Sequence, residues 1–261
     1  QSAIIKIISR DLPIVSIVFT QYFICLLVLL PKVIKEKSAI LSSKNRKLLV
    51  MRALCGIGYF TCMFTALRTS SLVDVSLMIN TAPLWVPILG LIFYKKSIGP
   101  KLYLTLALGF TGVFFILKPD NTIISIGSSI ALLGGIFMAI SMLVLNRLTE
   151  KESPTCILFY YALTASVILV IPAIFLWQTP AASDLWFLLA NGLLMVLQQH
   201  LLIRGFSLGS ASELSVTAYS GVIFAALIDY WLWGHNLQLA TLLGASLIIL
   251  SGWKVLTNSR S

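Results

Sequence analysis

Leu72 to Tyr94 reads LVDVSLMINTAPLWVPILGLIFY, 23 residues with a single acid, Asp74, near the start. At 1.5 Å rise per residue, about 20 apolar residues cross the hydrocarbon core of a bilayer, so the stretch predicts a transmembrane helix. It differs from a plain anchor in two ways. Pro83 and Pro87 stand four apart, as candidate bending points. Ser76, Asn80, Pro83, Pro87 and Gly90 recur at steps of 4, 3, 4 and 3, which puts them on one helical face. That face is small, polar or kinked, and the remainder is Leu, Ile, Val and Trp. Such a face either packs closely on other helices or lines a cavity; lipid has no use for Asn80.

The rest of the chain agrees with a membrane setting. Of 261 residues, 58% are hydrophobic and 11% charged, against about 25% charged in a soluble domain. Nine apolar segments follow one another at roughly 12–33, 47–67, 72–94, 102–117, 123–147, 154–177, 185–206, 214–233 and 238–256. The short links between them predict antiparallel neighbours, hence an all-α polytopic membrane protein. The longest polar link is 34–46, IKEKSAILSSKNR.

Charge sets the orientation. Assigning alternate links to opposite sides places 15 of the 19 basic residues on one side, with Lys6, Arg10, Arg68 and Lys118 on the other. The positive-inside rule makes the first side, with the C-terminus, cytoplasmic. The net charge of +10 is thereby explained by topology, and no nucleic-acid partner is expected. Gln1 then falls outside. An outside start calls for an earlier span, with residues 1–8 (QSAIIKII) as its tail, so ten spans are expected in the intact protein.

The segment at 72–94 has a counterpart. A shift of 139 residues lays Asp74 on Glu213, Ser76 on Ser215, Asn80 on Tyr219, Thr81 on Ser220 and Gly90 on Asp229. Five spans per half is an odd number, so the halves run in opposite directions. Inverted repeats of this kind build transporters with a site near the midplane. The expected units are residues 1–119 and 120–261.

These features resemble the drug/metabolite transporter superfamily, in its ten-span EamA-like branch. Residues 66–119 carry the likeness best, with small residues, a central proline with a bulky neighbour, a short loop and a glycine-rich helix. The second repeat, GFSLGSASELSVTAYSGVIFAALIDYWLWG, is similar. The resemblance implies a small-metabolite carrier of the bacterial inner membrane, moving an amino-acid-like, nucleoside-like or cationic compound. This sequence departs from the family pattern at Tyr94-Lys95-Lys96 and Gly234-His235, where Gly-Glu is common, and at Gln21, where Arg is common.

Candidate substrate contacts follow from position. Asp229 shares a face with Tyr219 one turn from the outer end of its span. It either binds a cation or proton or reaches the outer interface. Asn80, Trp85 and Ser220 sit on or beside the two paired segments. Gln198 lies deep in the eighth segment, either meeting substrate or bonding another helix. Gln21, Tyr22 and Tyr59 have the chemistry to line a site. Asp74 and Glu213 read instead as capping-box acids after Ser71 and Ser210. Arg52 and Arg204, within about two turns of the cytoplasmic face, are expected to snorkel to it.

The chemistry excluded is as informative. No G-x-x-x-x-G-K-[ST] loop occurs, so a gradient, a coupling proton or a counter-substrate must supply energy. No H-E-x-x-H, G-x-S-x-G or paired intramembrane aspartates point to an enzyme. Cys25, Cys55, Cys62 and Cys156 have neither zinc nor disulfide spacing. No cofactor is expected. A channel or scaffold remains the alternative to a carrier.

Overall fold

The structure, a computed structural model, describes residues 1–9, 12–35, 40, 43–94, 107–112, 126–208, 224, 227–228, 230–232, 234 and 239–258. Its helices are α1 (Ser2–Ile8), α2 (Ile14–Lys35), α3 (Arg46–Thr69), α4 (Leu72–Ile79), α5 (Ala82–Tyr94), α6 (Ile126–Thr149), α7 (Pro154–Phe175), α8 (Ala182–Leu208) and α9 (Leu239–Asn258). Six stretches among the described residues are long and apolar enough to cross a membrane. The protein is an all-α polytopic membrane protein. The expected spans at 102–117 and 214–233 lie largely outside the described residues.

Helix starts follow from local chemistry. Ser71 caps α4, its hydroxyl accepting the Asp74 N–H at 3.0 Å. Ser153 caps α7 likewise, accepting the Cys156 N–H at 3.2 Å, with Pro154 in the first turn. Each satisfies a donor that the helix itself cannot.

The opening segment is two helices, not one kinked helix. The chain breaks at Asn80-Thr81, ahead of Pro83. A proline ring clashes with the carbonyl four residues earlier and removes one N–H, so Pro83 disrupts the turn before it. The loosened groups are re-satisfied locally. Thr81 gives both its N–H (3.2 Å) and its hydroxyl (2.6 Å) to the Met78 carbonyl. The Asn80 amide donates to the Ser76 carbonyl at 2.8 Å. Pro87 lies inside α5, which continues past it.

Helix α6 lies at the centre of this layer, packed on α3, α4 and α5. Gly134-Gly135 permits the approach. A Cβ at Gly135 would stand 2.8 Å from the Met78 carbonyl oxygen and 3.2 Å from that of Ile79. At Gly134 the neighbours are Cys62 at 3.2 Å and the Tyr59 carbonyl at 3.6 Å. A second layer is formed by α2 on α7, with α2 also against α8 and α3 against α7.

Candidate functional site

The layers meet at a buried polar and aromatic cluster. Tyr22 of α2 and Tyr161 of α7 join hydroxyl to hydroxyl at 3.1 Å, their rings edge-on at 5.2 Å. Phe60 of α3 packs edge-on against Tyr22 at 6.0 Å and against Tyr59 at 4.7 Å. Gly56 makes room for Tyr161, because a Cβ there would fall 2.2 Å from the phenol oxygen.

Arg52 stands beside this cluster, roughly two turns inside α3, and it does not snorkel. It is 2% exposed. One Nη donates to the Ser141 hydroxyl of α6 and the other to the Gln199 amide oxygen of α8, each at 2.8 Å. The guanidinium carbon sits 4.6 Å from the Tyr161 ring centroid, a cation–π distance. Buried neutral acceptors and a ring hold the cation in place of water. Arg204 is exposed on α8.

Next to Tyr22 on α2, Gln21 is fully buried, and its amide oxygen accepts from Asn191 of α8 (3.3 Å) and from Gln1 (3.1 Å). Gln21 Nε2 and Asn191 Oδ1 are buried and have no hydrogen-bond partner. Such atoms are costly to leave open and often mark a ligand or water position.

The candidates from the sequence distribute unevenly over this frame. Gln21 and Tyr59 join the buried layer; Tyr59 donates to the Met63 sulfur at 3.4 Å. Asn80 and Trp85 sit at the helix break, half-buried. The Trp85 indole donates to the Thr81 hydroxyl at 3.2 Å and packs edge-on against Phe110 at 4.9 Å. Gln198 is exposed on the outer surface of α8, whereas Gln199, one residue on and about 100° around the helix, turns inward to Arg52. Tyr219, Ser220 and Asp229 lie outside the described residues. Arg52, Ser141, Gln199 and Tyr161 were not singled out as substrate contacts. The 139-residue offset held a signal for one of them, since it lays Tyr22 on Tyr161.

An all-α membrane protein with a broken helix and a buried polar centre shared among several spans is the architecture of a carrier. The chain belongs to the EamA-like transporter family, which matches residues 2–118 and again 125–257. It is 28% identical over 255 residues to the pseudopaline exporter CntI of Pseudomonas aeruginosa, covering 96% of this chain and 88% of that protein. It is 24% identical over 244 residues to an S-adenosylmethionine uptake transporter of Rickettsia bellii, covering 94% and 84%. A riboflavin transporter of Vibrio cholerae is 22% identical over 247 residues, covering 94% and 83%. A crystal structure 14% identical in sequence superimposes with a TM-score of 0.68 over 99% of this chain and 95% of the other, which establishes the shared fold.

Proposed function

We propose that this transporter moves a small organic metabolite across a bacterial inner membrane by alternating access between two inverted repeats, residues 1–119 and 120–261. The pairing of Tyr22 with Tyr161 carries the reading. The two are 139 residues apart, the offset that aligns the repeats. A residue that touches its own counterpart belongs on a pseudo-two-fold axis between the halves. The surroundings follow the same operation at the level of helices. The offset lays Arg52 on Asn191, and α7 meets Arg52 through Tyr161 while α2 meets Asn191 through Gln21. Two similar halves around one axis can exchange conformations, which alternating access requires.

In this reading the C-terminus is cytoplasmic, by the basic bias of alternate links. Asn80 and Tyr219, paired by the offset in sequence, are proposed substrate contacts, as are Trp85 and Ser220. Gln21 and Tyr59 contribute from the axis layer, and Asp229 supplies a charge that Gly90 does not. The relatives are named for pseudopaline, S-adenosylmethionine and riboflavin, which supports an organic metabolite as substrate. A counter-substrate or proton drives the cycle.

Flux in proteoliposomes tests the proposal, using amino acids, S-adenosylmethionine, riboflavin and organic cations. Saturable uptake stimulated by substrate on the far side is expected. A linear, unsaturable conductance would show a channel instead. Asp229→Asn separates coupling from binding: lost pH dependence with retained exchange is the expected result, and an unchanged profile removes Asp229 from the mechanism.

A further inference from the structure

Arg52 is a buried cation whose described partners are neutral. Its hydrogen-bond acceptors are the neutral Ser141 and Gln199, and its Nε is buried without a partner. Among the described residues no carboxylate bonds it. Of those acids, Glu152 is engaged by Ser43 and Asn45, and Asp184 accepts from the Ala181 N–H at the first turn of α8. Asp11, Glu36, Asp120, Glu213 and Asp229 lie outside the described residues. A charge withdrawn from water inside a membrane protein is expensive unless paired. Hydrogen bonds and the Tyr161 ring offset part of that cost but leave the net charge in place.

We propose that Arg52 is an anion subsite that takes the carboxylate of the transported compound, which makes the substrate class carboxylate-bearing metabolites of amino-acid type. This rests on the carrier reading and narrows it. The unused donors support a carboxylate. Ser141 and Gln199 each take one Nη donor and Nε–H has no partner among the described residues, so the guanidinium keeps donors for charge-assisted bonds to a carboxylate. The position supports it too. Arg52 lies on the first half, its partners Ser141, Tyr161 and Gln199 on the second, so a bound anion bears on contacts between the halves. Arg52 is 2% exposed, so in the proposal an anion reaches it only when the helices around it part.

The first test needs no substrate. Gln199→Glu installs a carboxylate 2.8 Å from the guanidinium. If Arg52 is unbalanced, this variant unfolds about 3 °C or more above the wild type in detergent, and the gain disappears in Arg52→Gln/Gln199→Glu. An unchanged or lower Tm for Gln199→Glu means the charge is already balanced, and the proposal fails. The second test is flux with paired probes: S-adenosylmethionine against its decarboxylated form, L-histidine against histamine, and riboflavin as a carboxylate-free compound. At least tenfold preference for the carboxylate member is expected, with flux lost in Arg52→Gln and Gln199→Glu and partly kept in Arg52→Lys. Flux that favours riboflavin or the amines, or that survives Arg52→Gln, overturns the assignment and leaves the carrier reading standing. Arg52-dependent stabilisation of Gln199→Glu with no saturable flux of any probe supports the anion subsite and counts against the carrier.

Discussion

Gly56 shows how much of the centre depends on a single missing methyl group. A Cβ there would meet Tyr161 at the phenol oxygen (2.2 Å) and at Cε2 (2.3 Å). The ring cannot yield without leaving Tyr22 or the face of Arg52. Gly56→Ala is therefore expected to cost about 1–3 kcal/mol, the usual range for overpacking. Flux should fall with it, because both hydroxyl and ring contacts shift. Thermal unfolding checks the first and proteoliposome flux the second. Tyr161→Leu should relieve the clash, so the double variant is expected to lose less stability than the two single losses summed. Apart from the 139-residue offset that lays Tyr22 on Tyr161, none of this was legible from the sequence. Gly56 and Arg52 are four apart on one helix, but the side that each turns inward depends on α6, α7 and α8. Arg52 reads as a snorkelling residue because its distance from the helix start allows it. Only the packed neighbours show that it points into the protein.

At the scale of elements, the spans were legible and the break was not. Apolar runs of about 20 residues are imposed by bilayer thickness, so α2, α3, α6, α7 and α8 fall within a few residues of their expected limits. The prolines announced a disturbance in 72–94. Their side effects reach backward along the chain, and Asn80 and Thr81 have side chains able to satisfy the loosened turn, so the interruption settles there. Gly135 then seats α6 against the backbone carbonyls of Met78 and Ile79. Gly135→Val is expected to push these elements apart, since the obstacles are backbone atoms that have nowhere to move. A loss of flux of tenfold or more is expected, with a lower Tm. Gly90→Ala is the control. A Cβ there meets nothing within 4 Å, and the stability change should stay within about 0.5 kcal/mol. Equal loss in both variants would mean that the break is not the sensitive feature.

For the whole molecule, alternating access requires one face to open while the other closes, and two ties bear on this. At one end, Arg68 of α3 donates to the Leu12 carbonyl just before α2. At the basic end, Glu152 accepts from the Ser43 hydroxyl at 2.6 Å and the Asn45 amide at 2.8 Å, and Cys156 lies 3.5 Å from its other oxygen. This joins the link after α2 to the turn before α7, one from each half of the chain. Burial pushes the Glu152 carboxyl up, but the hydrogen bonds from Ser43, Asn45 and Cys156 outweigh it and hold the group below the ordinary 4.5. The sign follows. A depressed folded-state value means the tie contributes fully above about pH 4.5 and is lost as pH falls through the lower, folded value. Because the group is half-buried at the edge of the protein, where solvent still screens it, the contribution is small, about 0.5–1 kcal/mol. Glu152→Gln is expected to lower amide-exchange protection at residues 43–45 and 150–153 by about two- to fivefold at neutral pH. The wild type should approach the variant's protection below pH 4.5. Transport in Glu152→Gln should show a raised rate of opening at the basic face, read as faster maleimide labelling of the buried Cys156. Labelling and protection that match the wild type at pH 7 would mean that the carboxylate does not restrain this face.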